Sequence, residues 1–106
     1  MDASIERLEA TMEALCEALE AAQTASEVLG EAKAALEHAE ADLTLSGLSG
    51  KNAEARRAEL FALTDNYRAD VTAAERQHTR ARTELAVAEV RHRTAREIAR
   101  LKGRES

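Results

Sequence analysis

The sequence predicts an all-α fold: an antiparallel two-helix hairpin, coiled-coil-like, held by a seam of leucine and alanine. Three observations predict it. Leucine recurs every seventh residue at Leu8, Leu15, Leu29, Leu36 and Leu43, with Ala22 in the one intervening place. Alanine does the same later, at Ala74, Ala81, Ala88 and Ala95. Between the two series lies the only glycine cluster, Leu45-Ser46-Gly47-Leu48-Ser49-Gly50. A seven-residue repeat is the period at which two α-helices keep one face turned toward each other, and a repeat that stops and restarts folds back on itself.

Composition supports this reading. The 106 residues include 24 alanines, four glycines and no proline, and the only aromatics are Phe61 and Tyr67. That is the composition of long helices rather than of a globule with a thick core. The length sets an expectation of one domain. Two helices packed only on each other bury little apolar area per residue, so self-association or a partner is expected to supply more. No apolar run approaches the ~20 residues of a membrane span, and the opening Met1-Asp2-Ala3-Ser4-Ile5-Glu6 lacks the basic-then-apolar pattern of a secretion signal. The single cysteine, Cys16, rules out an internal disulfide framework and fits a reducing compartment.

The first arm is expected to be a helix over about residues 3–45. With Ile5 as heptad position a, the leucine series occupies d. Position a begins apolar (Ile5, Met12, Leu19) and turns polar (Ser26, Lys33, Glu40), while Ala18, Ala25, Ala32 and Ala39 fill g. The predicted seam therefore widens from a/d toward d/g, as a straight helix drifting against a strict heptad would allow. Residues 46–51 form the turn, with Gly47 able to take the left-handed conformation that ends a helix. The second arm is expected over about 52–102. Asn52 is the N-cap and Glu54 sits in the first turn, where the helix dipole favours an acid. Its buried stripe reads Leu60, Leu63, Tyr67, Val71, Ala74, His78, Ala81, Leu85, Ala88, His92, Ala95, Ala99, in steps of three or four.

The short turn forces the arms antiparallel. Centred near residue 48, it pairs positions whose numbers sum to about 96, so that Leu15 faces Ala81 and Leu8 faces Ala88. Large residues then meet small ones, which lets two backbones approach without voids. Charge is divided between the arms: residues 1–50 carry −9 and residues 51–106 carry +4, for a net −5. The same register brings Glu13, Glu17 and Glu20 near Arg76, Arg80 and Arg82, pairs that select the partner strand more than they hold it.

Val87, Val90, Ile98 and Leu101 fall at helical spacing and, on a 100° wheel, opposite the Leu85–Ala88–Ala95 stripe. They are read as an oligomer interface, and a homodimer or larger bundle is expected. His78 and His92 share the seam but lie 14 residues apart, roughly 21 Å along a helix, so they cannot ligate one metal within a chain. No metal-ligand spacing and no phosphate-cradling glycine loop occurs, and neither a metal nor a cofactor is expected. No acid–base pair converges and two narrow helices offer no enclosed pocket, so an enzyme is not expected. The basic end of the second arm includes Arg91, Arg93 and Arg100. These are candidates for nucleic-acid phosphates, although Glu84, Glu89 and Glu97 are interleaved and aromatic stackers are missing.

The segment Gly50-Lys51-Asn52-Ala53-Glu54-Ala55-Arg56-Arg57-Ala58-Glu59-Leu60 resembles a G-K-N-x-E-x-R-x-x-x-L stretch of small helical proteins encoded by bacteriophages and prophages. The basic, alanine-rich helix that follows is similar as well. The resemblance implies a phage origin, an accessory or host-defence-modulating role and a cytoplasmic location in a bacterial host cell, and it carries no catalytic residue. Gly50 and Asn52 are accounted for by the turn and the cap. Lys51, Arg56 and Arg57 are not, and they become candidates for contact with a partner. The chain also resembles secreted helical hairpins with a W-x-G turn, but its turn reads Leu48-Ser49-Gly50, it has no Trp, and Val71 stands four residues after Tyr67 where that group has an acid. The leading expectation is a non-enzymatic, phage-type coiled-coil protein that self-associates and binds a host or phage protein. The alternatives are a nucleic-acid-associated accessory factor using the basic end of the second arm, and a secreted hairpin.

Overall fold

The computed structural model describes residues 2–105 and is all-helical: α1 (Ala3–Ser46), α2 (Ala53–Leu63) and α3 (Asp65–Glu105), with no strand among the described residues. The chain divides into two compact units. One comprises Met1–Ala25 with His78–Ser106, the other Ser26–Gln77. In each, a stretch of α1 packs on a returning stretch of chain as a helical hairpin.

In the first unit the least exposed residues of α1 are Ser4, Leu8, Thr11, Leu15, Ala18, Ala22 and Ala25. These are the g and d columns from the first heptad onward, so the seam does not widen from a/d. Ile5, Met12 and Leu19, expected inside it, are each about half exposed. The reason is width. Two helices bury only two columns each, and the serine, threonine and alanines at g let the backbones approach more closely than isoleucine, methionine and leucine at a would. Asp2 caps this helix: its carboxylate Oδ1 accepts the Ser4 N–H at 2.9 Å. That bond, the Ser4 hydroxyl and the positive charge of Lys102 hold the Asp2 carboxyl below its ordinary value.

Opposite, α3 turns His78, Ala81, Leu85, Ala88, His92, Ala95 and Ala99 inward, and Ala81, His92 and Ala95 are buried. One polar contact crosses the seam: Thr11 Oγ1 and His92 Nδ1 lie 3.1 Å apart. Thr11 Oγ1 also lies 3.1 Å from the Leu8 carbonyl. With its proton on that carbonyl, the imidazole Nδ1–H donates to the hydroxyl, and the half-buried Thr11 and the buried His92 are both satisfied. The Thr11–His92 contact fixes the register. Paired numbers sum to 103, one heptad away from the expected 96, so Leu8 lies opposite Ala95 and Leu15 opposite Ala88. A slip of seven returns Leu8 and Leu15 to alanines, so in this unit the repeat alone does not distinguish the two registers. The slip also removes the expected pairing of Glu13, Glu17 and Glu20 with Arg76, Arg80 and Arg82. The ion pairs among the described residues, His38–Asp42, Arg68–Asp65 and Arg100–Glu97, each lie within one helix.

In the second unit the α1 seam continues as Leu29, Ala32, Leu36, Ala39 and Leu43. The turn is built residue by residue. Gly47 ends α1 at φ +89°, a left-handed conformation that costs an L side chain about 1–2 kcal/mol. Asn52 caps α2, its Oδ1 accepting the Ala55 N–H at 2.8 Å. Gly50 packs directly on the start of that helix: a Cβ there would stand 2.6 Å from the Arg56 nitrogen and 2.8 Å from the Ala55 carbonyl carbon. Only a residue without a side chain fits.

Where the periodicity reads one continuous second arm, the structure has a break at Thr64, which sits at φ −102°, ψ 10° instead of helical values. Thr64 Oγ1 donates to the Leu60 carbonyl at 2.8 Å. Such back-bonding loosens a helix. Arg68 completes the break. Its guanidinium donates to Thr64 Oγ1 and to the Phe61 carbonyl, and stacks 3.5 Å from the centroid of the Phe61 ring. Thr64 (1% exposed) and Arg68 therefore hold the inward places expected for Leu63 and Tyr67, which are exposed. Size favours leucine and tyrosine inward, but the polar pair can take those places, Thr64 buried and Arg68 half-buried, because each partner satisfies the other.

Two expectations follow. In a Cys16→Ser background, Leu15→Cys with Ala88→Cys should form an intrachain disulfide on mild oxidation, while Leu15→Cys with Ala81→Cys should not. The reverse result on non-reducing gels would restore the 96 register. Gly50→Ala should lower unfolding free energy by roughly 1–3 kcal/mol, the usual cost of overpacking, read by chemical denaturation at unchanged starting helicity.

Candidate protein-interaction surfaces

The first unit carries a groove of about 650 Å³ along one side of its seam. Ala10, Ala14, Ala18 and Ala21 of α1 line one half with Thr11 and Glu17; Val87 and Ala88 of α3 line the other with Thr83, Glu84 and Arg91. Its cause lies in the two seams. The column of α1 nearest the groove is Ser4, Thr11, Ala18, Ala25, and the column of α3 nearest it is Ala81, Ala88, Ala95. Small residues thus adjoin small residues on this side, while Leu8, Leu15, Leu85 and His92 fill the other.

This placement revises the reading of Val87, Val90, Ile98 and Leu101. Val90, two residues from both Ala88 and His92, lies behind the seam, but Val87 and Ile98 flank it. Val87 lines the groove beside Ala88, and Ile98, next to the seam position Ala99, is half-buried. Val87 (43%), Val90 (53%) and Leu101 are exposed. The heptad flank explains it: 87 and 101 are one step from the alanine column, a distinction a coarse wheel blurs. The column Ile5, Met12, Leu19, expected in the seam, is a further exposed apolar surface. Its signal was the alternative column of small residues one position away.

The second unit has its own apolar surface at the turn. Leu45, 86% exposed, shares a depression with Glu37, Glu40, Ala41, Thr44 and Leu60. A second depression is lined by Thr44, Gly47, Leu48, Ala53, Arg56, Arg57 and Leu60. Of the candidate partner contacts, Lys51 and Arg57 are exposed. Arg56, read from sequence as unnecessary to the turn, has a part in it: Nη1 donates to the Gly50 carbonyl at 3.2 Å.

Glu59, which sequence reasoning passed over, locks the same turn from the other side. One carboxylate oxygen accepts the Ser49 N–H and hydroxyl, each at 3.1 Å, and the other accepts the Gly50 N–H at 2.9 Å. The Ser49 N–H above all, with the Ser49 hydroxyl and Gly50 N–H, draws the Glu59 carboxyl below its ordinary value of 4.5 against the opposing effect of desolvation. Within the resembling segment Gly50, Asn52, Arg56 and Glu59 thus all have bonding or packing roles, and Lys51, Glu54 and Arg57 are the other charges, all exposed.

The nucleic-acid candidates are dispersed in role. Arg91 lines the groove, Arg93 is exposed, and Arg100 is held by Glu97. Cys16 is exposed. No helix among the described residues is long and apolar enough to cross a membrane. Comparison of the chain with protein-family models finds no match, and comparison with curated proteins and with solved structures finds no significant match.

The Glu59 clamp has a pH signature. A carboxyl with a lowered native pKa contributes stability that is complete above its unfolded value and lost as pH falls through the native one. Thermal stability should therefore drop on acidification below about pH 4.5 by more in the wild type than in Glu59→Gln, measured as Tm against pH by circular dichroism. Parallel curves would remove the clamp as a stabilising device.

Proposed function

We propose that this protein is a non-enzymatic helical interaction protein of phage type. It self-associates through the helices of its first unit and presents the turn of its second unit, with Lys51 and Arg57, to a host or phage protein. The observation that carries this reading is exposed apolar surface. The buried apolar residues are Ala25, Ala74, Ala81 and Ala95, whereas Ile5, Met12, Leu19, Leu45, Phe61, Val87 and Val90 are all substantially exposed. The chain exposes 8000 Å²; a compact monomer of 11.5 kDa would expose about 5,800 Å². Large aliphatics spread over faces that alanine could fill equally well favour contact with other helices. The phage assignment rests on the Gly50–Leu60 resemblance.

Light scattering over a concentration series tests the self-association. The expected mass exceeds 11.5 kDa, and Val90→Glu with Leu101→Glu should lower it while leaving helicity intact. A wild-type mass fixed at 11.5 kDa at all concentrations would remove self-association from the function.

A further inference from the structure

The groove of the first unit has two unlike halves. The α1 half is small and acidic: Ala10, Ala14, Ala18 and Ala21 with Glu17, on a stretch (residues 3–25) holding five acids and one base. The α3 half is larger, Val87 with Glu84 and Arg91, and it belongs to a basic stretch (78–105) holding eight bases and four acids. Glu17 and Arg91 form no ion pair with each other among the described contacts.

A surface with a small half on an acidic stretch beside a larger half on a basic stretch is complementary to itself. We infer that the groove is occupied by a second copy of this chain, related by a two-fold axis, so that Val87 of each copy enters the alanine-lined half of the other. This rests on the self-association proposed above and adds the face and the pairing. In an isologous contact, residue i meets j and j meets i; here size and charge both satisfy that condition on one patch. The four-helix arrangement sets each acidic α1 stretch beside a basic α3 stretch of the other copy.

Because Ala14 and Val87 are both exposed in the single chain, they can be changed without opening the seam. Ala14→Glu places a carboxylate where the copy's Val87 should enter, and Val87→Lys places an ammonium where the copy's alanines should receive a valine. Each variant alone should shift the light-scattering mass from about twice 11.5 kDa to 11.5 kDa with wild-type helicity. The equimolar mixture should recover the dimer, since Glu at 14 then meets Lys at 87 and the other half of the interface is unaltered. A monomeric wild type overturns self-association and this inference together. A dimeric wild type whose single variants remain dimeric leaves self-association standing and places it on another face. Monomeric variants that do not recover on mixing show that positions 14 and 87 do not meet, and overturn the inference alone.

Discussion

Close approach of two helices through small side chains is the constraint on which the rest of this molecule depends. Each helix has room for two inward columns, and one column on each is built from alanine, serine or threonine. That choice draws the backbones together. It also dictates what is left outside: a third apolar column on α1, Ile5, Met12 and Leu19, and the flank of α3 that begins at Val87. A larger residue at Ala81, Ala88 or Ala95 would separate the helices and bury some of this surface, at the cost of the tight seam. The exposed aliphatics are thus a direct product of the packing that makes the hairpin.

The same constraint shapes the exposed surfaces. Where small columns adjoin, as on the Ala18 and Ala88 side of the first unit, a groove opens. Where leucine and histidine adjoin, it closes. In the second unit the turn is tied by side chains rather than by a hydrophobic plug: Glu59 receives three hydrogen bonds, Arg56 holds the Gly50 carbonyl and Asn52 caps α2. Leu45, freed from any role in closing the turn, remains on the surface with Lys51 and Arg57.

The all-helical architecture was readable because the heptad is a strong physical signal, and the turn because Gly47, Gly50 and Asn52 answer needs that few residues meet. Register was not readable. A seam that repeats every seven residues looks the same after a slip of seven, and the term that discriminates, Thr11 against His92, is a polar contact between residues 81 apart. The break at Thr64 was hidden for a related reason. Steps through Leu60, Leu63, Tyr67 and through Leu60, Thr64, Arg68 both satisfy helical spacing, and the second wins only because the hydroxyl, the guanidinium and the Phe61 carbonyl satisfy one another. The groove was hidden because Val87 differs from a back-face residue by a single place on the wheel, and that place depends on which column of α1 lies nearby.

The repeat has a mechanical consequence. Packing energy along the seam is periodic, with minima spaced seven residues, about 10 Å at 1.5 Å per residue. The helices of the first unit therefore form a ratchet whose teeth are leucine against alanine, with the Thr11–His92 contact as its pawl. That contact contributes little of the packing, yet it marks which tooth is engaged.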